Sequence, residues 1–140
     1  MNSGDVAVFF YGLFMDDSLL RSKGVSPSKP VVGHVDGYRL RIGRRATLLP
    51  DRAARAHGVL MTLPATDVDV LYADASVADY VPEPVSVVLP DGTVRPAACY
   101  NLPEEKLDGA NPEYATKLLA LAARLGLPDD YLEEIRAQAA

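Results

Sequence analysis

The hydrophobic and polar positions of the chain begin with an apolar run that spans residues 6–15. It is β-branched and aromatic up to Phe10, continues through Tyr11-Gly12-Leu13-Phe14-Met15, and ends at Asp16. An apolar run bounded by a turn signal predicts a buried strand followed by a loop. Because Gly12 has no Cβ, a ligand can come close to the peptide groups of that loop. An ordinary core strand and turn would explain the same residues.

The middle of the chain alternates apolar and polar positions in short segments. These segments predict strands at residues 31–35, 38–42, 46–49 and 57–63, with turn signals at Asp36-Gly37 and Gly43. Residues 26–30 are interpreted as a linker. Further on, Pro90-Asp91-Gly92 separates two apolar segments, residues 85–89 and 93–102, and this turn predicts a hairpin.

Helix signals are strongest near both ends of the chain. Asp16 is the predicted N-cap of a short helix that stops at Gly24, and Thr66 with Asp69 resembles a capping box. Asn111-Pro112 predicts the start of the main helix, which Gly126 ends. A last helix is predicted to start at Pro128-Asp129-Asp130.

The order of these elements predicts the fold class. About six or seven short strands, mostly joined without helices, are followed by two helices in the last quarter of the chain. This order favours an α+β protein: a small mixed β-barrel or strongly curved sheet with helices packed outside. The length of 140 residues predicts a single domain over residues 1–140.

Composition narrows the possible partners. A net charge of −5 argues against a general affinity for nucleic acid or an anionic membrane and favours a small soluble partner. One cysteine and two histidines provide neither a disulfide framework nor a zinc-ligand spacing, so we expect no metal and no cofactor. The first apolar run lacks a basic flank and is too short to span a bilayer, which favours a cytoplasmic protein. The oligomeric state cannot be predicted.

A cluster of arginines stands out on this acidic chain. Six of them lie within residues 39–55 against one acid, Asp51: Arg39, Arg41, Arg44, Arg45, Arg52 and Arg55. A solvated face explains such a cluster. Alternatively, Arg44 and Arg45 lie at the rim of a cleft, just past a strand end, and attract an anionic ligand.

The order of these motifs resembles the gamma-glutamylcyclotransferase-like family. The matching motifs are Tyr11-Gly12-Leu13-Phe14, Gly58-Val59-Leu60-Met61, Pro112-Glu113-Tyr114 and Gly126-Leu127-Pro128-Asp129-Asp130-Tyr131, and the likeness covers residues 6–135. The resemblance implies attack of an α-amine on its own γ-glutamyl amide, which releases an amine and 5-oxoproline. That reaction needs a base and amides that hold a carboxylate or oxyanion. The amides of Gly12, Leu13 and Phe14 could still serve.

The chain departs from the family at the base. The family has a Glu-Gly pair where this chain has Ala75-Ser76, so the expected glutamate is missing and cyclotransfer is expected to be feeble. Asp74, Asp79 and Glu83 are the nearby acids, and the first two are readily explained as solvated loop residues. Glu83 is the candidate catalytic base, because its alternation with residues 81, 85, 87 and 89 places it on an otherwise apolar face.

Two functions are therefore carried forward. The first is an enzyme with a relocated carboxylate that acts on γ-glutamyl amines or another small amino-acid derivative. The second is a small-molecule-binding or scaffold protein that keeps the fold without the catalytic acid. The candidate ligand-binding residues are Tyr11, Gly12, Leu13, Phe14, Arg44, Arg45 and Tyr100, and the expected ligand is small and anionic.

Overall fold

The computed structural model describes residues 4–74 and 77–139, which fold as a closed five-stranded barrel with four helices. The barrel order is β1-β3-β2-β4-β5. The strands are β1 (Asp5–Phe10), β2 (Ser28–Ile42), β3 (Ala46–Pro64), β4 (Val81–Val88) and β5 (Val94–Asn101). The helices are α1 (Asp17–Ser22), α2 (Ala65–Tyr72), α3 (Pro112–Arg124) and α4 (Asp129–Ala139). The predicted α+β barrel with helices outside is confirmed, with fewer strands than expected.

The strand count is lower because predicted segments merge. Residues 31–35 and 38–42 both belong to β2, which also takes in part of the predicted linker, and residues 46–49 and 57–63 both belong to β3. A register shift between Asp36 and Tyr38 lets the long β2–β3 hairpin bend without breaking, and Gly37 there has φ +86°. The charged middle of β3, residues 51–54, has no register partners on β2, and cross-strand ion pairs lie at its two ends, Arg39–Asp51 at 3.1 Å and Arg55–Asp36 at 2.6 Å.

The barrel closes through two narrow seams. Along β1–β3 and β4–β5 the antiparallel pairing runs the length of the shorter strand. By contrast, β1 meets β5 in parallel at the pair Val8–Ala98, and β2 meets β4 at His34–Val88. The single cysteine, Cys99, lies on β5 and is fully buried. Burial raises the pKa of its thiol to about 12.

The polar caps position two of the helices as the sequence predicts. Asp16 Oδ1 accepts a hydrogen bond from the Ser18 backbone N–H at 3.0 Å at the start of α1. At the start of α3, Asn111 Oδ1 accepts from the Tyr114 N–H at 3.0 Å, and Pro112 takes the first helical position.

The capping box predicted at Thr66 is wrong. Helix α2 begins one residue earlier, at Ala65 directly after Pro64, and no side chain caps it. Asp67 uses its Oδ2 instead to accept from the Ser26 N–H, at 3.2 Å. The Ala65 N–H donates instead to the Gly4 carbonyl at 2.7 Å, which satisfies one of the N–H groups at the start of the helix.

Helix α4 is tied to the barrel at both ends. Near its C-terminus, Gln138 Oε1 accepts from the Ile42 N–H at 2.7 Å and Gln138 Nε2 donates to the Leu40 carbonyl at 3.1 Å. Tyr131 and Ile135 of this helix are buried, whereas Leu132 is half-buried. In the part of the chain that the structure describes, every helix is too short or too polar to cross a bilayer.

A histidine lies beneath the first turn of α4. The His57 ring packs against Tyr131 at a centroid distance of 4.8 Å, with the His34 ring 5.6 Å away on the other side. Burial lowers the pKa of His57 from its ordinary value of 6.5, and His34 and Arg55 lower it further, although Asp130 and Asp36 oppose this shift. His57 is therefore neutral at pH 7 in the folded protein.

Acidification is expected to weaken the protein through His57. Because its pKa is lower in the folded state, the unfolded chain takes up this proton first as the pH falls below 6.5, so the free energy of unfolding decreases on acidification. Urea unfolding at pH 7.5 and 5.5 measures the effect. The decrease should be smaller in His57→Gln, and an equal decrease in both proteins would show that His57 is not responsible.

Candidate functional site

The loop after β1 presents backbone donors. A short 3-10 turn over Leu13–Met15 is held by hydrogen bonds from the Met15 N–H to the Gly12 carbonyl and from the Asp16 N–H to the Leu13 carbonyl. The Leu13 N–H donates to the Tyr114 hydroxyl at 3.4 Å. The N–H groups of Gly12 and Phe14 have no acceptor within residues 4–74 and 77–139. Two amides of this loop are therefore available to a ligand.

These residues border a cavity of about 370 Å³. Its volume is at the lower end of the range for small-molecule sites. The lining combines aromatic rings with a few cations and small groups: Phe9, Phe10, Tyr11, Gly12, Leu13, Phe14, Leu19, Lys23, Arg44, Arg45, Ala46, Tyr72, Val77, Tyr80, Tyr100 and Tyr114. The lining contains no acidic side chain, and none of the residues outside the described ranges carries one.

The aromatic walls form a connected set of ring contacts. Tyr72 stacks on Tyr100 with centroids 4.0 Å apart and an interplanar angle of 12°. Phe14 meets Tyr72 edge-on at 6.0 Å, and Phe10 meets Phe14 in the same way. Such pairs stabilise the fold beyond the contribution of the area that they bury. Their rings make these walls largely apolar.

The phenols in these walls remain protonated at neutral pH. Burial raises the pKa of Tyr114 to about 12, and it raises the pKa values of Tyr11, Tyr72 and Tyr80 as well. Tyr11 donates its hydroxyl proton to the Tyr100 carbonyl at 2.7 Å, and Tyr80 donates to the Ala46 carbonyl. The Tyr114 hydroxyl accepts from Leu13, and its own proton has no acceptor in the described ranges. The walls thus contain hydrogen-bond donors but no phenolate base.

Arg44 and Arg45 lie in the loop between β2 and β3, where it meets the loop that precedes α3. The Arg44 N–H donates to the Asp108 carbonyl at 2.7 Å, and the Arg44 carbonyl accepts from Asn111 Nδ2 at 3.2 Å. The Arg44 side chain is exposed and has no ion pair among the described residues, whereas Arg45 pairs with Asp79 at 3.2 Å. Asp79 is also bound by Lys106 at 3.3 Å, and these two cations hold the pKa of its carboxyl below the usual range.

The structure brings most of the predicted ligand-binding residues together. Tyr11, Gly12, Leu13 and Phe14 share the cavity with Arg44, Arg45 and Tyr100, as the list of lining residues shows. Their roles in binding stay predictions. Val85 is not among the described lining residues, and the walls include Tyr72, Val77 and Tyr80 from α2 and the segment that follows it.

Glu83, the candidate base, does not line this cavity. Its Oε1 accepts from Asn101 Nδ2 at 3.1 Å. Burial raises the pKa values of Tyr38 and Cys99, and the Glu83 carboxylate raises them further. Glu83 shares a face of β4 with Val81, Val85 and Val87. That face is buried only from Val85 onward, since Val81 is 47% exposed. Ala75-Ser76, where the family has its Glu-Gly pair, lies outside the described residues.

Sequence reasoning missed four important lining residues: Lys23, Tyr72, Tyr80 and Tyr114. In the sequence, Tyr114 is marked only as part of a family motif. The available signal was the number of tyrosines: seven in a chain without tryptophan. The described residues contain no group of three or more His, Cys, Asp or Glu side chains that could hold a metal ion.

Comparison with solved structures identifies the fold. A structure named gamma-glutamyl cyclotransferase superposes with a TM-score of 0.78 at 18% identity, covering 96% of this chain and 88% of that one. An uncharacterized protein from Homo sapiens gives 0.76 at 19%, covering 97% and 89%. YkqA from Bacillus subtilis gives 0.78 at 22%, and this chain covers 55% of its length.

No protein-family model matches the chain, and a search of curated proteins finds no match. At the identities of the superposed structures, the likeness establishes the fold and not the chemistry. The predicted resemblance to the gamma-glutamylcyclotransferase-like family is thus confirmed at the level of the fold.

Proposed function

We propose that this chain, which has the fold of gamma-glutamyl cyclotransferase, binds a small anionic molecule without catalysing cyclotransfer through a general base. The observation that carries the proposal is a cavity in which free loop amides and cations meet while no acidic side chain is present. A small soluble ligand, rather than nucleic acid or a membrane, is part of the proposal.

The anion is favoured by charge and by hydrogen bonding. The Gly12 and Phe14 N–H groups can both donate to the oxygens of one bound anion, as amides in turns do in anion-binding sites. Lys23 and Arg44, which line the cavity and are exposed, raise the local concentration of anions there. These groups favour a carboxylate or a similar anion.

Cyclotransfer is not favoured, because the reaction needs a group that takes a proton from the substrate ammonium. The tyrosines of the cavity are protonated, and the lining residues include neither an acid nor a histidine. Loss of general-base assistance typically costs ~10² to 10⁴ in rate. Any release of 5-oxoproline from γ-glutamyl amines should be slow by about this factor.

A relocated base at Glu83 receives no support from its surroundings. A general base must come within hydrogen-bond distance of the proton that it removes. Glu83 is instead engaged by Asn101 and does not border the space beside the Gly12 loop. We therefore favour the binding protein over the enzyme.

The test compares two exposed arginines of the same cluster. Arg44 lines the cavity, whereas Arg52 lies on β3 beside a separate groove, and neither side chain has an ion pair in the described ranges. Removing one charge near a bound anion should weaken benzoate binding about threefold to tenfold at low ionic strength, and less in high salt. Arg44→Gln should show this loss, and Arg52→Gln should retain the affinity of the unchanged protein.

Benzoate titration followed by amide NMR supplies the readout. The proposal expects the largest shifts at the Gly12 and Phe14 N–H signals. Shifts confined to other parts of the chain, or equal losses of affinity in the two variants, would contradict it.

A further inference from the structure

The charged side chains among the described residues of the cavity are all cations, and further hydrogen-bond donors lie beside them. Together these groups include the Gly12 and Phe14 amides, the Tyr114 hydroxyl proton and the side chains of Lys23 and Arg44. Two carbonyl groups near the walls each already accept one hydrogen bond, since Tyr100 accepts from Tyr11 and Ala46 accepts from Tyr80. A ligand carboxylate therefore finds charged partners among the described lining residues, whereas a ligand ammonium finds no carboxylate.

The acids near the cavity do not change this balance. Asp79 is held by both Arg45 and Lys106, and Glu83 is held by Asn101. Neither acid lines the cavity. An ammonium group that entered would lose its water without gaining a carboxylate, and such a burial is costly.

The apolar part of the ligand is indicated by the walls. Tyr72, Tyr100 and Phe14 present ring faces and edges, and Phe10 extends the same surface. Aromatic rings in this arrangement accept a further planar ring by stacking or edge contact. Aromatic walls can also bind a quaternary ammonium, but the positive charges of Lys23 and Arg44 in the same lining repel that ligand.

From this balance we propose that the cavity selects a carboxylate that carries an aromatic or similarly planar apolar group and lacks an ammonium next to the carboxylate. The inference rests on the proposed function and adds the ligand class to it. It also separates this site from one built for amino acids, in which the carboxylate and the ammonium must both be paired.

The test uses four probes that share one skeleton, titrated into the full chain by calorimetry and amide NMR. They are 3-phenylpropanoate, phenylalanine, 3-phenylpropanamide and propanoate. 3-Phenylpropanoate should bind at least about tenfold more tightly than phenylalanine, because only the latter buries an unpaired ammonium. It should also exceed the neutral amide, which lacks the charge, and propanoate, which lacks the ring.

Failures of the two proposals can be told apart. If phenylalanine binds as well as 3-phenylpropanoate, or if tetramethylammonium binds in the cavity, the ligand class is wrong while anion binding survives. If propanoate equals 3-phenylpropanoate, the aromatic requirement is wrong. If neither 3-phenylpropanoate nor benzoate moves the Gly12 and Phe14 signals, the proposed function itself fails, and the ligand class fails with it.

Discussion

Replacement of Gly58 by alanine is expected to cost about 3 kcal/mol of the free energy of unfolding, the upper end for an overpacked core. A Cβ at Gly58 would overlap the carbonyl oxygen of Phe10 and lie 2.8 Å from Phe9 Cζ. The oxygen belongs to the backbone of β1, which pairs with β3 at Phe10–Val59. Relief therefore requires the two strands to separate, and the dense interior resists this.

Gly24→Ala is the matched control for this change. Gly24 has φ +81°, and a Cβ there would meet nothing within 4 Å. Its replacement should cost only the conformational penalty, about 1 kcal/mol. Urea unfolding of both variants measures the difference, and a Gly58 variant no less stable than the Gly24 variant would refute the steric explanation.

The second large effect is a coupling between Gly12 and Tyr114. Gly12 has φ −109°, an extended conformation that alanine can adopt, but its Cβ would lie 2.5 Å from the Tyr114 hydroxyl oxygen. Gly12→Ala should therefore cost about 1–3 kcal/mol of unfolding free energy. In a Tyr114→Phe background the nearest remaining ring atom is Cζ, at 3.9 Å, so the same change should cost less than about 0.5 kcal/mol.

Ligand binding distinguishes the space that this hydroxyl fills from the proton that it donates. If Tyr114 donates to the anion, Tyr114→Phe should weaken 3-phenylpropanoate about tenfold or more, the worth of a hydrogen bond to a charged group. The double variant should regain stability without regaining affinity. Affinity that returned together with stability would reduce Tyr114 to a packing role.

The helices and the β4–β5 hairpin could be predicted because local chemistry specifies them. Asp16 and Asn111 cap backbone N–H groups within their own first turns, and Pro90-Asp91-Gly92 forms its turn whatever lies around it. The continuity of β3 could not be predicted, because residues 51–54 have no register partners and the pairing resumes beyond them only through contacts with β2.

The site was predictable only in part for a similar reason. The Gly12 loop and Arg44 follow strand ends, and the sequence marks such positions. Tyr72 and Tyr114 lie on different helices, and only the folded chain brings both to the cavity. Glu83 was placed by alternation alone, which predicts a side of the strand but not the compartment that the side chain enters.

Because the barrel has two narrow seams, we expect ligand binding to slow its local opening. Within the described residues, β4 and β5 are in register with the other strands only at His34–Val88 and Val8–Ala98, so we expect this hairpin to separate more readily than the β2–β3 hairpin. Because Cys99 is fully buried, we expect it to react with an alkylating reagent only during such an opening. The rate of its modification therefore measures how often the hairpin separates. A ligand that contacts both the Gly12 loop and Tyr100 would bridge β1 and β5, and it should therefore slow the alkylation of Cys99.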